Sequence, residues 1–293
     1  MSPIIQIWKV NPKDNEPIPA DNLSSLDEVT TSLPGGLYTT FRTYDNGRRA
    51  IGFASHLKRL YLPCRELKID AAIPADTLTL RIAELLPEDS ESRVRLILSR
   101  AGDFYVIIEP LTPLNRKVYE QGVKVITLQG HRQLANLKLT GFIDESKIQR
   151  EVVKTRGVFE GLLVQNGKIL EGLTSNFFYI CGWATGTARQ GVLPGVTRKM
   201  VLEIIKESNL AVSFRALKLE ELGGIDEAFI TSSSRGIVPV VQIDEGRIGG
   251  GGVGNTTRLL IQRYEERVEQ LAKPINPRPG RASQGRLDAL YLD

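Results

Sequence analysis

The chain has 293 residues, 41% apolar and 25% charged, which is the balance of an ordinary globular protein long enough for about two domains. No apolar run approaches the ~20 residues that span a bilayer, and the start Met1-Ser2-Pro3-Ile4-Ile5 lacks the basic and apolar stretches of a secretion signal, so a cytoplasmic protein without membrane contact is expected. The formal charge of +4 comes from dispersed Lys and Arg and aromatic residues make up only 6%, which argues against a nucleic-acid surface and for anionic small molecules.

In chain order, residues 4–10 read as a strand with Ile5, Ile7 and Lys9 on one face, followed by a polar loop over 11–27. Pro34-Gly35-Gly36 launches a strand over 37–44 that is dense in aromatic and β-branched residues. Asp45-Asn46-Gly47 turns it back into a partner at 49–53. Ser55 is placed to N-cap a helix whose apolar positions are Leu57, Leu60, Leu62 and Leu67, and residues 75–86 form a second helix. Residues 94–99 and 105–108 form a hairpin around Ala101-Gly102-Asp103. The two prolines of Pro110-Leu111-Thr112-Pro113-Leu114 mark a domain connection. Beyond it come a strand at 123–128, a helix at 146–156, and a meander of 161–164, 169–170 and 176–181 through the Asn166-Gly167 turn. A helix at 197–208 buries Val201, Ile204 and Ile205. Strands at 229–231 and 237–243 precede a closing helix at 256–271.

Strands joined by tight turns argue for an α+β fold, with helices packed on largely antiparallel sheets. The expected division is a smaller N-terminal α+β domain over 1–113, a larger domain over 114–272, and an extended or disordered tail over 273–293 rich in Pro, Gly and Arg. Two cysteines, Cys64 and Cys181, and two histidines, His56 and His131, are too few and too scattered for a disulfide framework or a metal site. Both cysteines read as buried small hydrophobes.

Four segments are candidates for chemistry, and each has an ordinary reading beside the functional one. Asn136-Leu137-Lys138-Leu139-Thr140 holds a lysine that is either solvated surface or a desolvated amine able to attack a carbonyl. Glu171-Gly172-Leu173-Thr174-Ser175-Asn176 is either a polar turn or a carboxylate set to hold a pyridine nitrogen protonated. Gly191-Val192-Leu193-Pro194-Gly195-Val196-Thr197-Arg198 is an ordinary helix start or a phosphate cradle made of free N–H groups and a hydroxyl. Thr231-Ser232-Ser233-Ser234-Arg235 is a polar turn or an anion site.

In this order the four segments resemble the class IV aminotransferases, the fold-type IV pyridoxal-phosphate (PLP) enzymes that include branched-chain and D-amino-acid aminotransferases, R-selective amine transaminases and aminodeoxychorismate lyases. His56-Leu57-Lys58-Arg59-Leu60 is similar to the family's His-x-x-Arg-Leu helix, and the likeness runs from about residue 34 to about residue 271. The resemblance implies a homodimer that uses PLP, an amino donor and a keto-acid acceptor. It implies that Lys138 forms the Schiff base and shuttles the proton, and that Glu171 bonds the pyridine nitrogen. Arg59, the Val196 and Thr197 amides, the Thr197 hydroxyl and Ser233 would hold the phosphate. Ser234, Tyr38, Arg42 and Arg95 fall where the family builds its substrate pocket. Gly141-Phe142-Ile143 departs from the tyrosine that branched-chain enzymes place after the lysine, which weakens a branched-chain specificity. Arg235, beside the implied carboxylate site, has no role in the pattern. A transaminase is the leading expectation, a PLP lyase the near rival and a non-catalytic anion-binding protein the distant one.

Overall fold

The computed structural model describes residues 5–20 and 23–275. The first half supplies six strands of a seven-stranded antiparallel sheet, β1 (Gln6–Val10), β2 (Asn15–Ile18), β3 (Gly36–Tyr44), β4 (Arg49–Ala50), β5 (Ser92–Ser99) and β6 (Phe104–Pro110), with helices α1 (Leu26–Ser32), α2 (Phe53–Tyr61), α3 (Cys64–Leu67) and α4 (Ala75–Leu85). The strand order is β17-β4-β3-β5-β6-β1-β2, where β17 (Lys273–Pro274) arrives from the far end of the chain.

Period-two alternation sorts β3 onto two faces. Leu37 and Phe41 join the cluster of Leu60, Leu78, Ile82 and Leu96 on the helix-covered side, while Tyr38 packs with Ile97, Tyr105 and Ile107 on the other. Leu60, Leu78 and Ile82 are fully buried, and each contributes about 1.5–3 kcal/mol relative to an exposed side chain. The turn between β3 and β4 is the expected one: Asp45 and Asn46 both adopt the left-handed conformation, φ 53° and 54°, which matches the twist of a tight hairpin.

The second half comprises α5 (Arg116–Gln121), β7 (Val123–Gln129), α6 (Gly141–Glu145), α7 (Lys147–Thr155), β8 (Glu160–Gln165), β9 (Lys168–Gly172), β10 (Asn176–Cys181), β11 (Ala184–Gly186), α8 (Val196–Glu207), β12 (Ala211–Ser213), β13 (Leu217–Lys218), β14 (Glu227–Ser232), β15 (Gly236–Ile243), β16 (Gly246–Arg247) and α9 (Asn255–Leu271). Strands β10, β14, β15, β7, β8 and β9 follow one another in the sheet, and Asn176 pairs with Glu171 to close β9 back onto β10. The closed ring encloses Val125, Leu162, Ile169, Phe177, Ile230 and Val238. Helices α8 and α9 cover its outside, burying Val201, Ile205 and Leu260 against the stacked rings of Phe178 and Phe229, 4.8 Å apart. Most pairings are antiparallel, but β7 runs parallel to both β8 and β15, and β11 is parallel to β12. Among the described residues no helix is long and apolar enough to cross a membrane, and no cluster of His, Cys, Asp and Glu could hold a metal ion.

Several sequence expectations are corrected. The stretch 11–27 is not all loop: β2 pairs with β1, and α1 starts at Leu26 with the Ser25 hydroxyl accepting from the Glu28 N–H; Asp21 and Asn22 lie outside the described residues, as does Ile4 of the first expected strand. Ser55 does not cap α2. The helix begins at Phe53 after Gly52, whose φ of 62° suits a residue without Cβ. Helices α5 and α6, too short to show a periodicity, were not expected from the sequence. Cys181 ends β10 exposed instead of buried, and Cys64 is half-buried. The assigned tail is structured at its start: β17 pairs with β4, and Ile275 is 3% exposed in the first sheet's core with its N–H donating to the Arg48 carbonyl. The rest of that tail, 276–293, lies outside the described residues.

Candidate active site

A cavity of about 390 Å³ opens where the first sheet meets the closing point of the ring. It is lined by Lys138, Glu171, Arg59, Val196, Thr197, Ser233, Ser234, Tyr38 and Arg95, which are nine of the ten residues singled out from the sequence. Arg42 is the exception. It pairs with Glu91 farther along β3, with its guanidinium carbon 4.6 Å from the centre of the Tyr44 ring. A larger, shallower apolar groove on the outer side of Arg59 and Val196 is lined by Leu62, Leu202, Leu210 and Phe214.

The segment carrying Lys138 is not a strand of the ring. It is stapled to the start of β3: the Tyr38 N–H donates to the Lys138 carbonyl at 2.8 Å, the Thr140 N–H to the Gly36 carbonyl at 2.9 Å, and the Gly36 N–H to the Thr140 hydroxyl at 2.9 Å. Gly36 is required there, because a Cβ would lie 2.0 Å from the Leu98 carbonyl oxygen. This places Lys138 Nζ 4.8 Å from the centre of the Tyr38 ring. Burial holds the Lys138 amine well below the usual lysine range, and the nearby Arg132, Arg59 and Arg95 push it in the same direction against Glu171.

Glu171, at the end of β9, is 1% exposed and fully engaged. Its Oε1 accepts from Arg132 Nε at 3.0 Å, while Oε2 accepts from the Leu193 N–H at 2.9 Å and from Asn176 Nδ2 at 3.3 Å. Burial lifts this carboxyl above its usual range, opposed by Arg132 and by the Leu193 amide. Asn176 also donates to the Leu193 carbonyl at 2.8 Å. It thereby ties the strand pair to the loop before α8, where Gly195 is obligatory because a Cβ would lie 2.1 Å from Asn176 Oδ1.

Gly195 precedes the first turn of α8, so the free N–H groups of that turn lie at the cavity wall. The Thr197 hydroxyl is 3.4 Å from that of Ser233, and Arg59 reaches over from α2 to donate to the Pro194 carbonyl at 2.5 Å. Burial pushes the Arg59 guanidinium down to about 10. His56, one turn earlier, is fully buried with Nδ1 2.6 Å from the Thr39 hydroxyl, and burial together with Arg59 and Lys138 holds it neutral.

Four residues of this neighbourhood escaped the sequence reading. Arg132 is 5% exposed, pairs with Glu171 and lies 3.6 Å above the Phe142 ring; a single arginine in a Gly-His-Arg loop carries no pattern. Asn176 stood in the quoted motif without a role. Asp27 and Glu160 each hold cavity arginines: Asp27 pairs with Arg95 and Arg150, and Glu160 pairs with Arg235. The Glu160 pair accounts for Arg235, which also donates to the Thr174 hydroxyl at 2.5 Å.

A lysine depressed by burial, a buried carboxylate paired to an arginine, and a helix start with free N–H groups thus share one cavity, a grouping characteristic of a functional site. The profile of the family described as amino-transferase class IV matches residues 36–243. A Thermotoga maritima protein described as "Probable branched-chain-amino-acid aminotransferase" is 29% identical over 248 residues, covering 82% of this chain and 89% of that protein. An aminodeoxychorismate lyase of Bacillus subtilis is 25% identical over 274 residues, covering 85% of this chain and 91% of the lyase. A D-alanine aminotransferase of Bacillus licheniformis is 26% identical over 266 residues, covering 82% and 90% respectively. A branched-chain amino acid aminotransferase from the source abbreviated "T.th.", solved with pyridoxamine 5'-phosphate, superposes with a TM-score of 0.75 over 92% of this chain and 98% of that one; at 19% identity this is a likeness of fold.

Proposed function

The chain belongs to the class IV aminotransferase family, and from that premise we propose that it moves an amino group between an amino acid or amine and a keto acid, with PLP held in the cavity at Lys138. The observation that carries this reading is the meeting of Lys138, Glu171 and the α8 cradle in one cavity. The fit to PLP is supported by two cavity-lining residues whose buried polar atoms, Arg132 Nη1 and Thr231 Oγ1, have no protein partner.

Arg59, the first-turn amides of Val196 and Thr197, the Thr197 hydroxyl and Ser233 would hold the phosphate. Glu171 would face the pyridine nitrogen, and its existing bonds to Arg132, Leu193 and Asn176 fix it in one orientation. When bound, PLP supplies an aldehyde to capture an amine and a ring that withdraws electrons from the adjacent carbon. Lys138, whose burial lowers its proton affinity, would be the residue that holds PLP through its amine and that would carry a proton to and from the substrate's α-carbon. Tyr38, against the lysine, limits where the amine swings. Tyr38, Arg95 and Ser234 form the wall available to substrate.

We read residues 1–113 and 114–272 as two units meeting at the cavity, a division supported by the two separate sheets. Unpaired Cys64 and Cys181 support a reducing, cytoplasmic setting. Exposed Leu62 and Phe214, which line the outer apolar groove, support a homodimer.

The test is to load the purified protein with PLP and supply L- and D-amino acids and R-amines, following conversion to the pyridoxamine form. Conversion that turns over only with added keto acid supports transamination. Turnover without any acceptor favours the lyase reading, which the Bacillus subtilis relative keeps open. Failure to bind PLP removes both.

A further inference from the structure

Arg95 and Arg150 reach the cavity from different elements, β5 and α7, yet converge on a single carboxylate supplied by α1. Asp27 Oδ1 accepts from Arg95 Nη1 at 2.8 Å, and its Oδ2 accepts from Arg150 Nη1 at 2.8 Å. Two guanidinium groups gripping the two oxygens of one carboxylate is the geometry by which proteins recognise a bound acid. The Arg95 guanidinium and Lys138 Nζ lie 4.9 Å and 4.8 Å from the centre of the same Tyr38 ring, so the arginine pair and the lysine border one stretch of the cavity.

Resting on the function proposed above, we propose that Asp27 is a specificity-determining residue, an internal carboxylate occupying the arginine pair that would otherwise bind a second carboxylate at the far end of the substrate. Further donors of this corner are engaged as well. Arg95 Nη1 is shared with the Leu26 carbonyl at 3.1 Å and the Thr30 hydroxyl at 2.7 Å, and its Nε with the Thr40 hydroxyl at 3.0 Å. Arg150 Nε donates to the Ser146 hydroxyl at 2.9 Å. A substrate with a neutral side chain therefore meets an arginine pair already matched by a carboxylate, and an acidic one has to compete with Asp27. Burial pushes the Asp27 carboxyl upward, but Arg95 and Arg150 outweigh it and hold the group below the usual carboxylate range, so it stays charged near neutral pH.

The experiment compares binding of glutarate and valerate to the PLP-loaded protein by calorimetry, with PLP occupancy read from absorbance in the same samples. Asp27→Asn keeps an oxygen for one arginine and releases the other. The preference for glutarate over valerate is expected to rise about tenfold or more, the size of a charge-assisted contact. Adding Arg150→Gln to that variant should cancel the gain. Glu28→Gln, which removes an exposed charge next along α1 without touching either arginine, should leave the preference within about twofold, the scale of exposed single charges. An unchanged preference in a PLP-loaded Asp27→Asn protein overturns the proposal, as does an equal gain from Glu28→Gln. Absent PLP binding in the wild type would instead overturn the functional reading beneath it. If Asp27→Asn does not fold, Asp27→Glu in the same assay decides: an unaltered preference despite the displaced carboxylate counts against the proposal, and a shift supports it.

Discussion

Glu171→Gln separates the structural and chemical duties of one carboxylate. In the protein both members of the Glu171–Arg132 pair are nearly inaccessible, with side chains 2% and 3% exposed. A glutamine keeps the shape but has one acceptor oxygen where the carboxylate has two. Its NH₂ must therefore point either at Arg132 Nε or at the Leu193 N–H, a donor facing a donor in either case. Arg132 already has one unpartnered nitrogen and would become a buried, uncompensated charge. Breaking such a pair costs about 3–5 kcal/mol, which urea denaturation of the PLP-free protein can resolve. Neutralising both partners in Glu171→Gln/Arg132→Gln should recover more than half of that loss, since the orphaned charge is gone. In the PLP-loaded single variant, conversion of PLP to the pyridoxamine form in a single turnover should slow far more than PLP affinity falls, because the proton on the ring nitrogen is no longer held. A stability loss below about 1 kcal/mol together with a wild-type single-turnover rate would refute the reasoning on both counts.

Lys138→Ala should abolish the visible absorbance of lysine-bound PLP and reduce turnover by several orders of magnitude; a borohydride-reducible cofactor in the variant would place the attachment on another lysine. Arg59→Ala removes the charged reach from α2 to the cradle and should weaken PLP binding roughly 10- to 150-fold, equivalent to about 1.5–3 kcal/mol, as read by equilibrium dialysis. The depressed Lys138 amine also has a pH signature. Its folded-state value lies well below the ordinary 10.5, so between the two the unfolded chain binds more protons and stability of the PLP-free protein rises with pH. Lys138→Met should flatten that rise in urea midpoints measured from neutral pH upward, and an unaltered slope counts against the buried amine.

Legibility in the sequence tracked the range of the interaction. Turn chemistry is local, so Asp45-Asn46-Gly47 and Asn166-Gly167 marked their hairpins correctly. The α8 face of Val201, Ile204 and Ile205 was readable from period alone. Lys138, Glu171, Arg59 and Thr197 stood out through resemblance and order, and the cavity gathers all four. What stayed hidden depended on partners far away along the chain. The parallel run of β7 is decided by its neighbours β8 and β15, and the early start of α2 by Gly52 lying against Val196. Arg132 is paired with Glu171, and Arg95 is held by Leu26 and Asp27, the start of a helix that falls at the end of the stretch expected as polar loop. Arg42 shows the opposite failure. Strand alternation puts it on the face of Tyr38 and Thr40, but Glu91 draws its charge away from the cavity.

The pairing of β17 with β4 has a consequence for biosynthesis. The first sheet cannot be finished when its own half of the chain has left the ribosome, since its last edge strand and Ile275 of its core follow the entire second half. At about 5–20 residues per second, β4 remains an uncovered edge for many seconds. An open strand edge recruits other chains. Ribosome-bound nascent chains ending before residue 273 should therefore be more prone to self-association and to chaperone capture than released full-length protein.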